Sequence, residues 1–219
     1  MELLAVRLAR LITLFPTDEI NPRGRTLMPD ITPAFVKRYG FLKYPQTYAE
    51  FDETKGVTFE GGYWKSIAVD RIVLYNNGVM VDTRSSTSDS EKVLEDALIW
   101  AAENFGLTYH PEMLARKAYL SELEVKCEAR IEMLNPQLKS FAKRLSERAS
   151  SSAGQNLSYE AFSIGFNFDS AFAKAFSGPM RFERLTDVPY SDNKYFTSAP
   201  VPTDAHMLFL DELEAILRG

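Results

Sequence analysis

The sequence predicts an α+β protein: mainly antiparallel sheet, with about four helices packed on one face. Three observations carry this expectation. Asn77-Gly78 lies between two apolar runs, residues 67–75 and 79–82, which is the pattern of a tight β-hairpin. Residues 123–133 alternate strictly, with Leu123, Val125, Cys127, Ala129, Ile131 and Met133 on one side and Glu124, Lys126, Glu128, Arg130 and Glu132 on the other. Period-two alternation is a strand with one dry and one wet face. Connections between the apolar runs are short, which favours antiparallel neighbours over parallel crossovers.

The elements follow in order. Residues 3–15 fit either a strand or a helix with Leu4, Leu8, Leu11 and Phe15 on one face; recurring β-branched residues and the following Pro16 favour the strand. A loop with Asn21-Pro22, Gly24 and Pro29 comes next. A short helix is expected from Thr32 as cap and Pro33 in its first turn to Gly40 past its end, with Phe35, Val36 and Tyr39 buried. Residues 44–64 read as loop and short strand. After the hairpin, Ser88 and Glu91 fit a capping box opening a helix whose stripe is Val93, Leu94, Ala97, Leu98, Ala101 and Phe105, ended by Gly106.

In the second half, Asn135-Pro136 opens a helix expected to bury Leu138, Phe141, Ala142 and Leu145. Residues 150–156 read as a connector. Residues 159–169 alternate, with Phe162, Ile164, Phe166 and Phe168 expected inward. Residues 180–185 form a shorter strand, and 187–202 a long polar loop holding Tyr190, Tyr195 and Phe196. Thr203 caps a last helix that packs Met207, Leu210, Leu213 and Leu217. The order strand–helix–strand–strand–helix occurs twice. This suggests two similar units, residues 1–115 and 116–219, or one continuous domain, without a residue-level repeat.

The chain has 219 residues, 45% hydrophobic and 25% charged, with net charge −5 and pI about 5.2. Such a composition supports a packed core and argues against intrinsic disorder. The acidic balance lacks the basic bias that phosphate neutralisation gives nucleic-acid binders. A single cysteine, Cys127, cannot close an intrachain disulfide, and the apolar N-terminus is interrupted by Arg7 and Arg10 rather than preceded by charge. No apolar run reaches membrane-spanning length. The expectation is a soluble, cytoplasmic protein with no membrane partner.

Candidate chemistry is sparse. Glu124-Val125-Lys126 is an acid-x-lysine triplet that, with Asp82, could hold a divalent ion for a metal-dependent hydrolase or nuclease. The same residues also continue a run of alternating surface charges. His110 and His206 lack partners in sequence and read as solvated or capping histidines, and Cys127 as a buried thiol. Gly61-Gly62 reads as a turn or bulge. No phosphate-loop, dinucleotide-fold or nucleophile-elbow motif occurs, and no cofactor is implied.

Two regions stand out as binding candidates. Arg23 and Arg25, with Lys37 and Arg38 nearby, form a basic cluster suited to a phosphate or an acidic partner; a nucleic-acid accessory role would rest on it. The loop carrying Tyr190, Tyr195 and Phe196 is long and aromatic, and such loops lie ordered against their own domain or a second chain. The sequence therefore favours a non-enzymatic assembly component that binds itself or a protein partner through a sheet edge and aromatic loops.

Overall fold

The fold is described from a computed structural model, which describes residues 1–169 and 178–219. It is an α+β fold built on one antiparallel eight-stranded sheet. The strands are β1 (Glu2–Leu14), β2 (Val57–Trp64), β3 (Ile67–Tyr75), β4 (Gly78–Thr83), β5 (Lys117–Lys126), β6 (Ser163–Phe166), β7 (Met180–Arg184) and β8 (Lys194–Ala199). The helices are α1 (Thr17–Ile20), α2 (Met28–Tyr39), α3 (Thr87–Phe105), α4 (Pro136–Ala153) and α5 (Thr203–Arg218). Strand order is β2-β3-β4-β1-β5-β8-β7-β6. Apart from the four-residue α1, each half of the chain thus runs strand, helix, three strands, helix. The sheet order also reads alike outward from its centre: β1, β4, β3, β2 on one side and β5, β8, β7, β6 on the other. The expected order had one strand fewer per half, because β2 was folded into loop in the first and β8 in the second.

The chain divides into two compact units. An N-terminal unit comprises Val6–Ser121 and Pro200–Thr203, and a C-terminal unit comprises Met1–Ala5, Glu122–Ala199 and Asp204–Gly219. The expected boundary near residue 115 falls just before β5, whereas the units divide inside it, after Ser121.

In the N-terminal unit, Phe59, Ile72, Val81 and Leu11 stand in one cross-strand row, set by the registers Phe59↔Ile72, Ile72↔Val81 and Leu11↔Val81. Onto this face α2 sends Ile31, Phe35 and Tyr39, and α3 sends Val93, Leu94, Ala97 and Leu98. Phe35 is the hub, with ring centroids 4.9 Å from Tyr39 and from Phe59 and 5.4 Å from Phe41. Burial of these rings supplies most of the local stability, at roughly 25 cal/mol per Å² of apolar surface. Gly62 permits the arrangement: a Cβ there would lie 2.6 Å from the Phe41 ring and 2.9 Å from the Tyr39 carbonyl. Alternation puts Arg10, Asp82, Arg71 and Glu60 in a row on the opposite face.

Several expected boundaries move. Helix α2 starts a turn before Thr32, behind Pro29; Pro33 sits inside the helix and the Thr32 hydroxyl donates to the Met28 carbonyl at 2.8 Å. The cap of α3 is Ser86, whose side chain accepts from the Asp89 amide at 3.1 Å, rather than Ser88. Gly40 and Gly106 end their helices in the left-handed conformation, as expected. The long strand expected over 123–133 begins earlier and stops at Lys126, and Ile131–Leu134 forms a 3-10 turn. Leu123, Val125, Cys127 and Ile131 are buried as expected, whereas Met133, expected with them, is exposed because the strand has given way to the 3-10 turn. Glu132, expected wet, is buried too, because Arg184 reaches it. The expected loop over 187–202 contains β8, whose Tyr195, Thr197 and Ala199 point inward. Helix α4 persists to Ala153 through much of the expected connector, and Gly154 ends it.

In the C-terminal unit the buried hydrophobic residues are Leu123, Val125, Cys127, Ile131, Phe182, Tyr195 and Ala199, with Leu210, Leu213 and Leu217 from α5. Phe182 and Tyr195 stack with centroids 4.2 Å apart. Of the residues expected on the inner face of α5, Met207 is half-buried. Among the described residues, no helix is long and apolar enough to cross a membrane.

Candidate interaction surface

Helix α4 is 18 residues long and buries none of them. The expectation that Leu138, Phe141 and Leu145 face inward is overturned: they are 50%, 57% and 39% exposed. They continue a stripe from Met133 and Leu134, which are also exposed. An isolated helix of this length is marginal in water, so local devices must hold it. Asn135 caps the start, its side chain accepting from the Gln137 amide at 2.9 Å, and Gly154 closes the end. The Ser146 hydroxyl accepts from the Tyr159 amide at 2.8 Å, and Ser150 exchanges hydrogen bonds with both backbone groups of Leu157. These tethers fix the polar flank of α4 to the following segment and leave its apolar stripe open.

The charges of α4 are one-sided. Lys139, Lys143, Arg144 and Arg148 oppose a single acid, Glu147, in a chain whose net charge is −5. An apolar stripe flanked by bases is the pattern of a helix that docks onto an acidic surface.

Helix α5 has the opposite character. Its inner face is buried, while Leu208, Phe209 and Ile216 are 64%, 45% and 63% exposed. The exposed acids Asp204, Asp211 and Glu212 are interleaved with them. Strand β6 adds an aromatic edge: it is the last strand of the sheet, and Phe162, Phe166 and Phe168 near it are exposed, against the expectation that they face inward. With only four residues, β6 is too short to carry a tight complex on backbone pairing alone.

The residues singled out in the sequence are dispersed. Tyr195 is wholly buried; it stacks on Phe182, and its hydroxyl accepts from the Ile131 amide at 3.4 Å. It is a core residue and offers no surface. Tyr190 is half-buried, with the Arg184 guanidinium 4.7 Å from its ring centroid. Phe196 is half-buried on β8, opposite Glu183. Arg184 organises this region from a buried position. It donates to Glu132 at 2.8 Å, to the Ala161 carbonyl at 3.0 Å and to the Tyr190 carbonyl at 2.9 Å, and lies 3.2 Å from Glu160. Nothing local in the sequence marks Arg184, since its partners come from three separate segments. Arg23 and Arg25 are exposed on the loop between α1 and α2, whereas Arg38 is tied to Asp96 at 2.9 Å.

The acids proposed for a metal are committed elsewhere. Asp82 is 2% exposed and accepts from Arg10 at 2.7 and 2.9 Å and from Arg71 at 2.9 and 3.2 Å. Two guanidiniums on one carboxylate make a cross-strand staple between β1, β4 and β3. Glu124 belongs to the other compact unit. Among the described residues, no three of His, Cys, Asp and Glu come together to hold a metal ion.

His206 is wholly buried, not solvated or capping. The Thr197 hydroxyl donates to the Arg181 carbonyl at 2.9 Å, so its oxygen accepts from His206 Nε2–H, also at 2.9 Å. His110 is exposed in a loop. Cys127 is buried, and burial foremost, with the neighbouring Glu214, pushes its thiol up to about 11, the opposite of an activated nucleophile. Burial would raise the Glu214 carboxyl. The Met1 ammonium at 2.9 Å and the Glu128 amide at 2.8 Å override it and lower the carboxyl to about 2.

A small set of signals could have found the exposed faces: α4 is rich in Lys, Arg and Ser and has only three large apolar residues in its 18, about five turns, which is too little to anchor a core helix. Comparison with known families, with curated proteins and with solved structures finds no match to this chain.

Proposed function

We propose that this protein is a non-enzymatic assembly component that binds a second copy of itself, the α4 face of one copy docking on the α5 face of the other. One observation carries the reading: a single unit exposes two apolar helical stripes with opposite charge borders. Each stripe alone is a patch that monomers rarely leave uncovered. Together they are complementary, with Lys139, Lys143, Arg144 and Arg148 on one and Asp204 and Glu212 on the other, Asp211 being held by the Met1 ammonium. The apolar centres supply affinity, and the charged borders select partner and orientation. The edge of β6 and the half-buried Phe196 are secondary contacts in this reading.

The test is a charge-swap cycle read by sedimentation and native mass spectrometry on the full chain. The double change Lys139→Glu and Lys143→Glu weakens self-association at least about tenfold, roughly 1.4 kcal/mol. Adding Asp204→Lys and Glu212→Lys in the same chain restores it. A chain that stays monomeric at every concentration, or a swap that is not rescued, overturns the self-docking reading.

A further inference from the structure

The N-terminal unit contains a cavity of about 280 Å³ that the assembly reading does not use. Its walls are Phe15, Ile31, Phe35, Leu94 and Trp100, and the loop between α1 and α2 covers it. The volume is nearly twice the ~150 Å³ of an apolar cavity engineered in another protein that stays dry and takes up benzene. The covering loop is not loose. Thr26 donates to the Phe105 carbonyl at 2.9 Å, Asn21 to the Thr26 carbonyl at 2.7 Å, and the Thr108 amide to the Ile20 carbonyl at 2.8 Å.

Asn21 and Thr26 are tied up in these bonds, Trp100 carries an indole N–H, and the charged residues of the lining are Asp18 and Glu53, both acids, so the charge they favour on a guest is positive. Among the described residues, neither is joined in an ion pair. Ionised carboxylates only accept hydrogen bonds, so the polar end of a fitting guest must donate. Arg23 and Arg25 flank Gly24 at the same loop, but their side chains are exposed and do not line the space.

We propose that this cavity binds a small apolar amine, its hydrophobic body among Phe35, Leu94 and Trp100 and its ammonium at Asp18 and Glu53. Apolar burial sets the affinity, and the two carboxylates set the choice of head group. This site is independent of α4 and α5, so it stands or falls apart from self-docking.

Calorimetric titration of the full chain with 2-phenylethylamine, 2-phenylethanol and 3-phenylpropionate tests it, since the three differ chiefly in the polar end. The amine is expected to bind at least tenfold tighter than the carboxylate, with the alcohol between. Ala101→Phe, which fills the lining, abolishes binding of all three. Asp18→Asn with Glu53→Gln, both on accessible side chains that leave the core untouched, keeps binding but removes the preference for the amine. No binding by any of the three, equal binding by all, or preference for the carboxylate overturns the proposal; the last would assign the entrance to Arg23 and Arg25.

Discussion

Helices α2 and α4 hold the same place in the two halves of the chain, each following the first strand of its half, yet they end in opposite environments. Helix α2 buries Ile31, Thr32, Phe35 and Tyr39; α4 buries nothing. Both carry an apolar stripe at helical spacing, and both stop at a left-handed glycine, Gly40 and Gly154. The difference lies in what stands opposite. For α2 there is a sheet face already lined by Phe59, Ile72, Val81 and Leu11. For α4 the hydrogen-bonded neighbours are Leu157 and Tyr159, which engage Ser150 and Ser146 on its polar flank. Amphipathicity therefore says that a helix has a face to cover, not what covers it.

The contrast can be broken by paired substitutions. Phe35→Ala removes the hub of an aromatic cluster and is expected to cost about 3–5 kcal/mol in denaturant unfolding. Phe141→Ala is expected to change monomer stability by less than about 0.5 kcal/mol, as an exposed site does, while abolishing self-association in sedimentation. Equal losses of stability from the two would mean that α4 is packed as a core helix after all.

A smaller effect separates the units by pH. Glu214 in the C-terminal unit is held at about 2 when folded against an ordinary value of 4.5. A lowered carboxyl stabilises the fold at pH above 4.5, and that contribution is lost as pH falls from 4.5 through 2. Glu214→Gln should therefore reduce stability at pH 7 by at most about 3 kcal/mol, with wild type and variant converging toward pH 2. Unfolding curves that keep a constant gap across that range would break the assignment. The smallest effect is chemical. The Cys127 thiol, buried and raised to about 11, should resist a thiol-specific reagent at pH 8 in the native protein and react fully after unfolding. Rapid native labelling would show that β5 ends in a looser site than its burial implies.

Much of the fold was legible in the sequence because its signals are local. The β3–β4 hairpin, the Gly40 and Gly106 stops and the Asn135 cap depend on neighbours within a few residues, although the hairpin turn is Asn76-Asn77 and the expected turn residue Gly78 opens β4. Strand β8 was hidden by the prolines 189, 200 and 202, which flank it rather than interrupt it; the alternation of Tyr195, Thr197 and Ala199 between them was the readable cue. The candidate site was hardly legible. Tyr195 looks the same in sequence whether it faces a partner or stacks on Phe182 from β7. Phe141 looks the same whether it fills a core or lies open. Asp82 reads as a metal ligand until Arg10 and Arg71, from two other strands, are set on either side of it.

By itself the sequence determined the class of fold, most of its elements and which side of β5 is buried, since hydrophobic period and turn chemistry act over short stretches of chain. Only the tertiary structure decided which apolar faces are covered, which charges are paired and where space remains beneath the α1–α2 loop. Those outcomes depend on residues distant in sequence meeting at contact distance, and a side chain's own chemistry does not specify its neighbour.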